Sequence, residues 1–347
     1  MRKIQLANVA QLFDYDDIID VRSPAEYLTD HVPGAISAPV LNNEERARIG
    51  TLYKQVSPFE AQRQGAALIA RNIAFHLETQ FHERPREWKP LIYCWRGGQR
   101  SGAMAHIFAQ VGWRVGQLQG GYKTYRRHVI SELEIQAAQL QFLVVCGATG
   151  SGKSRLLQAL HAQSAQVLDL EKLAQHRGSL LGNLPDQAQP AQKMFESRIW
   201  NTLRSFDARH PVFVEAESRK IGALAIPTTL LEHIRQAECI AIEADMPARV
   251  KLLMEDYAHF LNDAALLTRT LSPLLELHGH KTLEQWHEMA QQSEWPALVA
   301  DLLSRHYDPA YLRSTANNFP HLKDARQLHL TTLDDSDLLH AAQSLLQ

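Results

Sequence analysis

At 347 residues, with 45% apolar residues and no low-complexity stretch, the chain is long enough for two globular domains. There is no apolar run long enough to span a membrane, and the N-terminal stretch meets acids before any apolar segment of leader length, so a cytoplasmic location is expected. Three cysteines argue against a disulfide scaffold, and a net charge of −2 gives no global sign of nucleic-acid binding.

In chain order, Ile18-Ile19-Asp20-Val21 reads as a strand. Ser23 and Pro24 suit the N-cap and first turn of the helix that follows. Residues 31–35 form a turn. A long helix is expected over 58–81, with Leu68, Ile69, Ile73 and Leu77 as its apolar stripe. Gly65 lies inside it, where glycine costs about 1 kcal/mol relative to alanine, and is read either as a tolerated helix glycine or as a point of close packing beneath a functional loop. Leu91-Ile92-Tyr93-Cys94 is a buried strand, 100–111 a helix stopped by Gly112, and 115–118 a further strand. Residues 131–140 read as a helical linker. A second alternating region opens at Phe142, with later strands at 166–170, 212–215, 239–244 and 326–330, and becomes mainly helical after Pro247. The expected fold class is α/β throughout. A doubly wound N-terminal domain over 1–130 is followed, after the linker, by an α/β domain with a helical tail over 141–347.

Two segments carry chemistry. The first is Cys94-Trp95-Arg96-Gly97-Gly98-Gln99-Arg100-Ser101, between a strand and a helix. Gly97 and Gly98 let the backbone curl, so that N–H groups and the positive helix end converge on the cysteine sulfur, while Arg96 and Arg100 add full charges. All of these favour a thiolate or a persulfide or perselenide anion. No Asp or Glu occurs over 88–131, whereas Lys89, Arg96, Arg100, Arg114, Lys123, Arg126 and Arg127 do. Such a stretch is either a solvated face or a surface for an anionic substrate. Cys146 and Cys239 lie within apolar strands and read as structural.

The second segment is Gly147-Ala148-Thr149-Gly150-Ser151-Gly152-Lys153-Ser154, a complete G-x-x-x-x-G-K-S after a strand and before a helix. Gly147, Gly150, Ser151 and Gly152 shape a backbone cradle for phosphate oxygens, Lys153 reaches the terminal phosphate, and Ser154 would hold Mg²⁺ if a metal is used. Asp169 or Glu215, each at a strand end, would serve that metal through water or act only as a helix cap. Arg177 and Arg198 are weaker candidates for phosphate contacts, each also readable as a solvated helix residue.

The stretches Asp20-Val21-Arg22-Ser23-Pro24-Ala25-Glu26-Tyr27, His31-Val32-Pro33-Gly34-Ala35, the cysteine loop and Leu118-Gln119-Gly120-Gly121-Tyr122 resemble the rhodanese pattern. One departure is that five residues, not the usual four, separate the cysteine from Arg-Ser, and a wider loop suits a larger acceptor or chalcogen than thiosulfate sulfur transfer needs. With Leu52-Tyr53-Lys54-Gln55, the P-loop and His176-Arg177-Gly178-Ser179 added, the chain is similar to the tRNA 2-selenouridine synthases, a rhodanese domain fused to a P-loop NTPase-like domain. That resemblance implies action on the anticodon stem-loop of tRNAs for Lys, Glu and Gln. There the 2-thiouridine at wobble position 34 is geranylated by geranyl diphosphate and then selenated from selenophosphate. It also implies Cys94 as a selanyl-cysteine carrier, a P-loop that holds a diphosphate or a nucleotide, and a selenophosphate-supplying enzyme as partner. Two other classes stay open: an ATP-dependent kinase or ligase fused to a sulfurtransferase, and a rhodanese fold that only docks a partner.

Overall fold

Each strand–helix alternation folds into a wholly parallel five-stranded sheet in the computed structural model, which describes residues 3–347. Contacts divide the chain into one unit that runs to Glu132 and includes Glu196–Asn201, and a second made of Leu133–Phe195 and Thr202–Gln347. No helix among the described residues is long and apolar enough to cross a membrane.

The first unit contains β1 (Gln5–Ala7), β2 (Asp17–Asp20), α1 (Pro24–Thr29), β3 (Ile36–Ser37), α2 (Asn43–Gln55), α3 (Pro58–Thr79), β4 (Pro90–Tyr93), α4 (Gln99–Val111) and β5 (Gly116–Leu118), followed by α5 (Gly121–Gln139). Strand order is β1-β5-β4-β2-β3. β4 is central and every one of its residues is buried, which is why it reads as an unbroken apolar run. Ser23 and Pro24 open α1 as the sequence implies, with the Glu26 carboxylate accepting from Ser23 N–H at 3.1 Å. Ile19, Ile73, Phe81, Trp88, Ile92, Met104 and Phe108 form the core.

Residues 131–139, expected as part of a helical linker, form the second half of α5, which begins at Gly121 and runs unbroken to Gln139, and the division between the two units falls within it, after Glu132. Gly65 does not lie beneath the cysteine loop. It faces α2, and an added methyl there would meet only the side chain of Ile49, at 3.5 Å.

The second unit continues with β6 (Phe142–Gly147), α6 (Lys153–Ala162), β7 (Gln166–Leu168), α7 (Leu170–Ala174), α8 (Gln192–Leu203, of which Glu196–Asn201 groups with the first unit), β8 (Val212–Glu215), the short antiparallel pair β9 (Lys220–Ile221) and β10 (Leu224–Ala225), α9 (Thr228–Arg235), β11 (Glu238–Ala244) and α10 (Met246–Asp256). After these come α11 (Ala258–Leu261), α12 (Ala264–Leu271), α13 (Leu275–Gln291), α14 (Trp295–Leu302), α15 (Asp308–Asn318), β12 (Arg326–Leu330) and α16 (Asp335–Leu345). The order β12-β11-β6-β8-β7 again puts the motif-bearing strand in the middle, and the strand expected at 326–330 closes one edge against β11. A second apolar cluster, built on Phe260, Leu267, Leu271, Trp286, Leu298 and Leu302, belongs to the helical part.

Candidate active sites: a cysteine loop and a phosphate cradle

Parallel sheets present ligands at the carboxyl ends of their strands, and both motifs leave the carboxyl end of a central strand. Cys94 follows β4 directly and is 4% exposed. Gly98 caps α4 with φ +77°, a left-handed conformation that turns the loop into the helix. Ser101 Oγ lies 3.4 Å from Cys94 Sγ as a donor and accepts from Gln117 Nε2 at 2.9 Å. Gln117 also donates to the carbonyl of Gly98 at 2.9 Å, so β5 holds both the loop and the hydroxyl aimed at the sulfur. Below the cysteine, Tyr122 N–H donates to the Cys94 carbonyl at 2.8 Å. The approach is close enough that a side chain on Gly121 would sit 2.3 Å from that oxygen.

The loop stands on a buried polar network. Arg22 is paired with Asp20 at 2.6 Å and donates to the carbonyl of Asp30, also at 2.6 Å, while Tyr93 OH donates to Asp20 at 2.8 Å. Burial opposes the charge on Arg22, but the bond to Asp20 outweighs it, and the guanidinium pKa rises. This places in the core the charges of Asp20 and Arg22, which the sequence showed only as the end of a strand and part of a family pattern.

The two loop arginines separate. Arg96 is exposed. Arg100, expected to turn its charge on the sulfur, instead bonds Glu26 at 2.9 Å, both side chains being largely shielded. The reason is local: Glu26 caps α1 from a half-buried position. Burial opposes its charge, but the Arg100 hydrogen bond and charge prevail and hold its carboxyl below the usual range. Trp95 is exposed at the loop crest and Gly97 beside it has open space around its Cα.

In the second unit the P-loop joins β6 to α6, with Gly152 at φ +87° as the helix cap. Lys153 Nζ donates to the carbonyls of Gly147 and Ala148 at 3.0 and 3.4 Å, lying back across the loop. Ser151 Oγ is buried with no hydrogen-bond partner, a donor that a phosphate oxygen would satisfy. Arg249 of α10 clamps the loop from outside, donating twice to the Thr149 carbonyl at 2.8 and 3.0 Å while paired with Asp308 of α15. Nothing in the sequence flagged Arg249, because its partners lie far from it along the chain.

Ser154 Oγ donates to Glu215 at 2.7 Å. Glu215 thus takes the position beside the P-loop hydroxyl, whereas Asp169 is the cap of α7, accepting from Lys172 N–H at 2.8 Å. Glu171 and Glu217, which sequence reading missed, complete a cluster: carboxylate oxygens of Glu171, Glu215 and Glu217 lie within 4.8 Å of one another. The available signal was the pair of i, i+2 acids, Asp169-x-Glu171 and Glu215-x-Glu217, at the ends of two neighbouring strands. Burial first, then mutual repulsion, pushes Glu171 up to about 10 and Glu217 up to about 8. Glu215 is also raised by burial, against the pull of Lys153. Three hard oxygen donors beside a P-loop serine, their ionisation opposed for want of a counter-charge, fit a divalent cation. Arg177 lines the same cleft, stacks over the Tyr257 ring at 4.9 Å and donates to the Asp256 carbonyl.

Next to this cleft is an apolar cavity lined by Leu253, Phe260, Leu267, Trp295, Leu298 and Leu303. Thr149, Ser179, Leu253, Tyr257 and Tyr307 line both spaces, so the phosphate cradle and the cavity are contiguous.

Comparison with known proteins agrees with this division. A rhodanese-like domain model matches residues 5–128, and a model described as the tRNA 2-selenouridine synthase AAA domain matches residues 140–277. A tRNA 2-selenouridine synthase from Nitrosomonas europaea is 35% identical over 262 residues, covering 73% of this chain and 67% of that protein. One from Aeromonas salmonicida is 31% identical over 342 residues, covering 90% and 91%. One from Sulfurovum is 33% identical over 330 residues, covering 85% and 87%.

Proposed function

The chain belongs to the tRNA 2-selenouridine synthase family, and from that premise we propose that it exchanges the sulfur of a wobble 2-thiouridine in tRNAs for Lys, Glu and Gln for selenium, using geranyl diphosphate and then selenophosphate. The observation that carries the prenyl half of this reading is the apolar cavity contiguous with the P-loop. A nucleoside needs polar partners for its base and ribose. Leucine side chains and ring faces suit an isoprenoid chain instead, with its diphosphate in the cradle.

In the first half-reaction the thiocarbonyl sulfur attacks C1 of the geranyl group. The C–O bond breaks and its electron pair leaves with diphosphate. Lys153, the loop N–H groups and Ser151 take up that charge. Ser154, Glu215, Glu171 and Glu217 would hold a divalent cation, which supplies further positive charge at the diphosphate oxygens. In the second half-reaction selenium enters at C2 as the C2–S bond breaks and geranyl thiol departs. An S-alkyl group leaves far more readily than a bare thiocarbonyl sulfur. With water, selenophosphate yields phosphate, so the exchange balances without an external oxidant or reductant. Cys94, with Ser101 donating to its sulfur, is the residue that handles the selenium.

The test is nucleoside mass spectrometry of a thiolated anticodon stem-loop incubated first with geranyl diphosphate and then with selenophosphate. S-geranyl-2-thiouridine followed by 2-selenouridine is expected, with no ATP added. A requirement for ATP, with nucleotide hydrolysis independent of RNA, would favour a kinase or ligase instead.

A further inference from the structure

Cys94 is almost wholly buried, yet the next residue, Trp95, is 40% exposed. The indole is not loose. It stacks on Tyr122 with centroids 5.2 Å apart and planes 28° from parallel. Tyr122 is in turn fixed by its hydroxyl to Asp30 at 2.8 Å and by the Arg22 guanidinium, 4.0 Å from its ring centroid. The two backbones are joined as well, with Tyr122 N–H on the Cys94 carbonyl and Lys123 N–H on the Trp95 carbonyl at 3.1 Å. An exposed aromatic ring is therefore mounted on the buried Asp20–Arg22–Asp30 network, one residue from the sulfur. Around it are exposed cations: Arg96 follows it, Lys123 is bonded to its backbone, and Arg127 lies one turn further along α5. Residues 88–131 contain no acid, and Glu26, which reaches the loop from α1, is already matched by Arg100.

An exposed rigid ring flanked by unmatched positive charge is the arrangement by which proteins hold unpaired bases, through stacking on the ring and phosphate contacts beside it. Chemistry at C2 of a pyrimidine demands such a device, since that atom is inaccessible while the base is stacked among its neighbours. We propose that Trp95 is the stacking platform for the displaced base that Cys94 serves, with Arg96, Lys123 and Arg127 on the flanking phosphates. This rests on the reading of tRNA as substrate and adds the residue that positions the base.

Binding of two stem-loops at fixed salt tests it, one intact and one abasic at the reacting nucleotide. Each is measured with wild type, Trp95→Phe and Trp95→Ala. Trp95→Ala is expected to weaken the intact loop by about tenfold or more and to leave the abasic loop unchanged, with Trp95→Phe recovering most of the loss. The rate of Cys94 labelling by a small thiol reagent, together with the melting temperature, is expected to stay at the wild-type value in Trp95→Ala, showing an intact loop. Equal losses on both RNAs, or no loss on either, overturn the platform while leaving the tRNA reading in place. Wild-type protein that binds neither RNA overturns both.

Discussion

The cysteine loop and the P-loop are the same backbone device used for opposite purposes. Each leaves a central parallel strand, turns on a left-handed glycine, Gly98 or Gly152, and aims a helix N-terminus at its ligand. Around Cys94 the surroundings are neutral donors and cations: Ser101 on the sulfur, Gln117 behind it, Arg96 exposed, and the acid Glu26 neutralised by Arg100. Around Lys153 they are a triad of carboxylates, Glu215 buried and Glu171 and Glu217 half-buried, and a contiguous apolar cavity. Backbone geometry therefore supplies anion affinity in both, and the side chains from neighbouring elements set the two apart; under the proposed function one would serve a chalcogen anion and the other a departing diphosphate.

The largest effect should come from removing the sulfur. Cys94→Ala is expected to abolish 2-selenouridine formation while leaving geranylation and melting temperature near wild type, as read by nucleoside mass spectrometry and thermal melting. Normal selenation by this variant would remove the cysteine from the reaction. Lys153→Ala is the complementary break. It should suppress geranylation by about a hundredfold or more, since a charge that acts on the departing group is lost, and spare selenation of a pre-geranylated stem-loop. Loss of selenation with geranylation retained would reverse the assignment of steps to units. Equal loss of both would make the P-loop an RNA-binding or conformational element.

A third prediction sharpens the contrast through pH. Burial and mutual repulsion push the Glu171 and Glu217 carboxyls up to about 10 and about 8, against an ordinary glutamate value of 4.5. Between pH 4.5 and 8 the folded state therefore holds more protons than the unfolded one, and stability falls as pH rises through that window. Melting temperature should drop from pH 5 to 8 without divalent cation. The slope should flatten with Mg²⁺, which binds the ionised carboxylates, or in Glu217→Gln. A melting temperature that is flat with pH in wild type would refute the buried-charge account.

Smaller effects follow at Arg100 and Gly65. Because Arg100 acts on Glu26, Arg100→Ala and Glu26→Gln should destabilise alike, by about 1–3 kcal/mol for a largely shielded pair, with little change in Cys94 labelling rate. A large drop in labelling for Arg100→Ala alone would restore its charge to the sulfur. Gly65→Ala should be nearly neutral or slightly stabilising in thermal melts, because the methyl meets Ile49 at an ordinary contact distance. Gly65→Glu should lower stability by placing a charge between α2 and α3.

The sequence by itself determined the α/β class, the two chemistry-bearing loops and most of the elements around them, because these depend on neighbours along the chain. An apolar run makes β4 a buried strand, a Ser-Pro pair starts α1, and a glycine-rich stretch before a helix makes an anion cradle whatever surrounds it. It missed β1, too short and too exposed to show a period, and α2, whose apolar stripe is weak and which buries no residue fully. Only the tertiary structure decided the partners. Arg100 turned to Glu26, 74 residues away, and Arg249 reached back 100 residues to clamp Thr149. Asp169 became a cap while Glu171 and Glu217 joined Glu215, and helices from the C-terminal part closed an apolar cavity beside the phosphate cradle. Charges and hydroxyls act over a few ångströms in space and carry no periodicity along the chain, so which of them meet is fixed by the packing of elements and not by any local pattern.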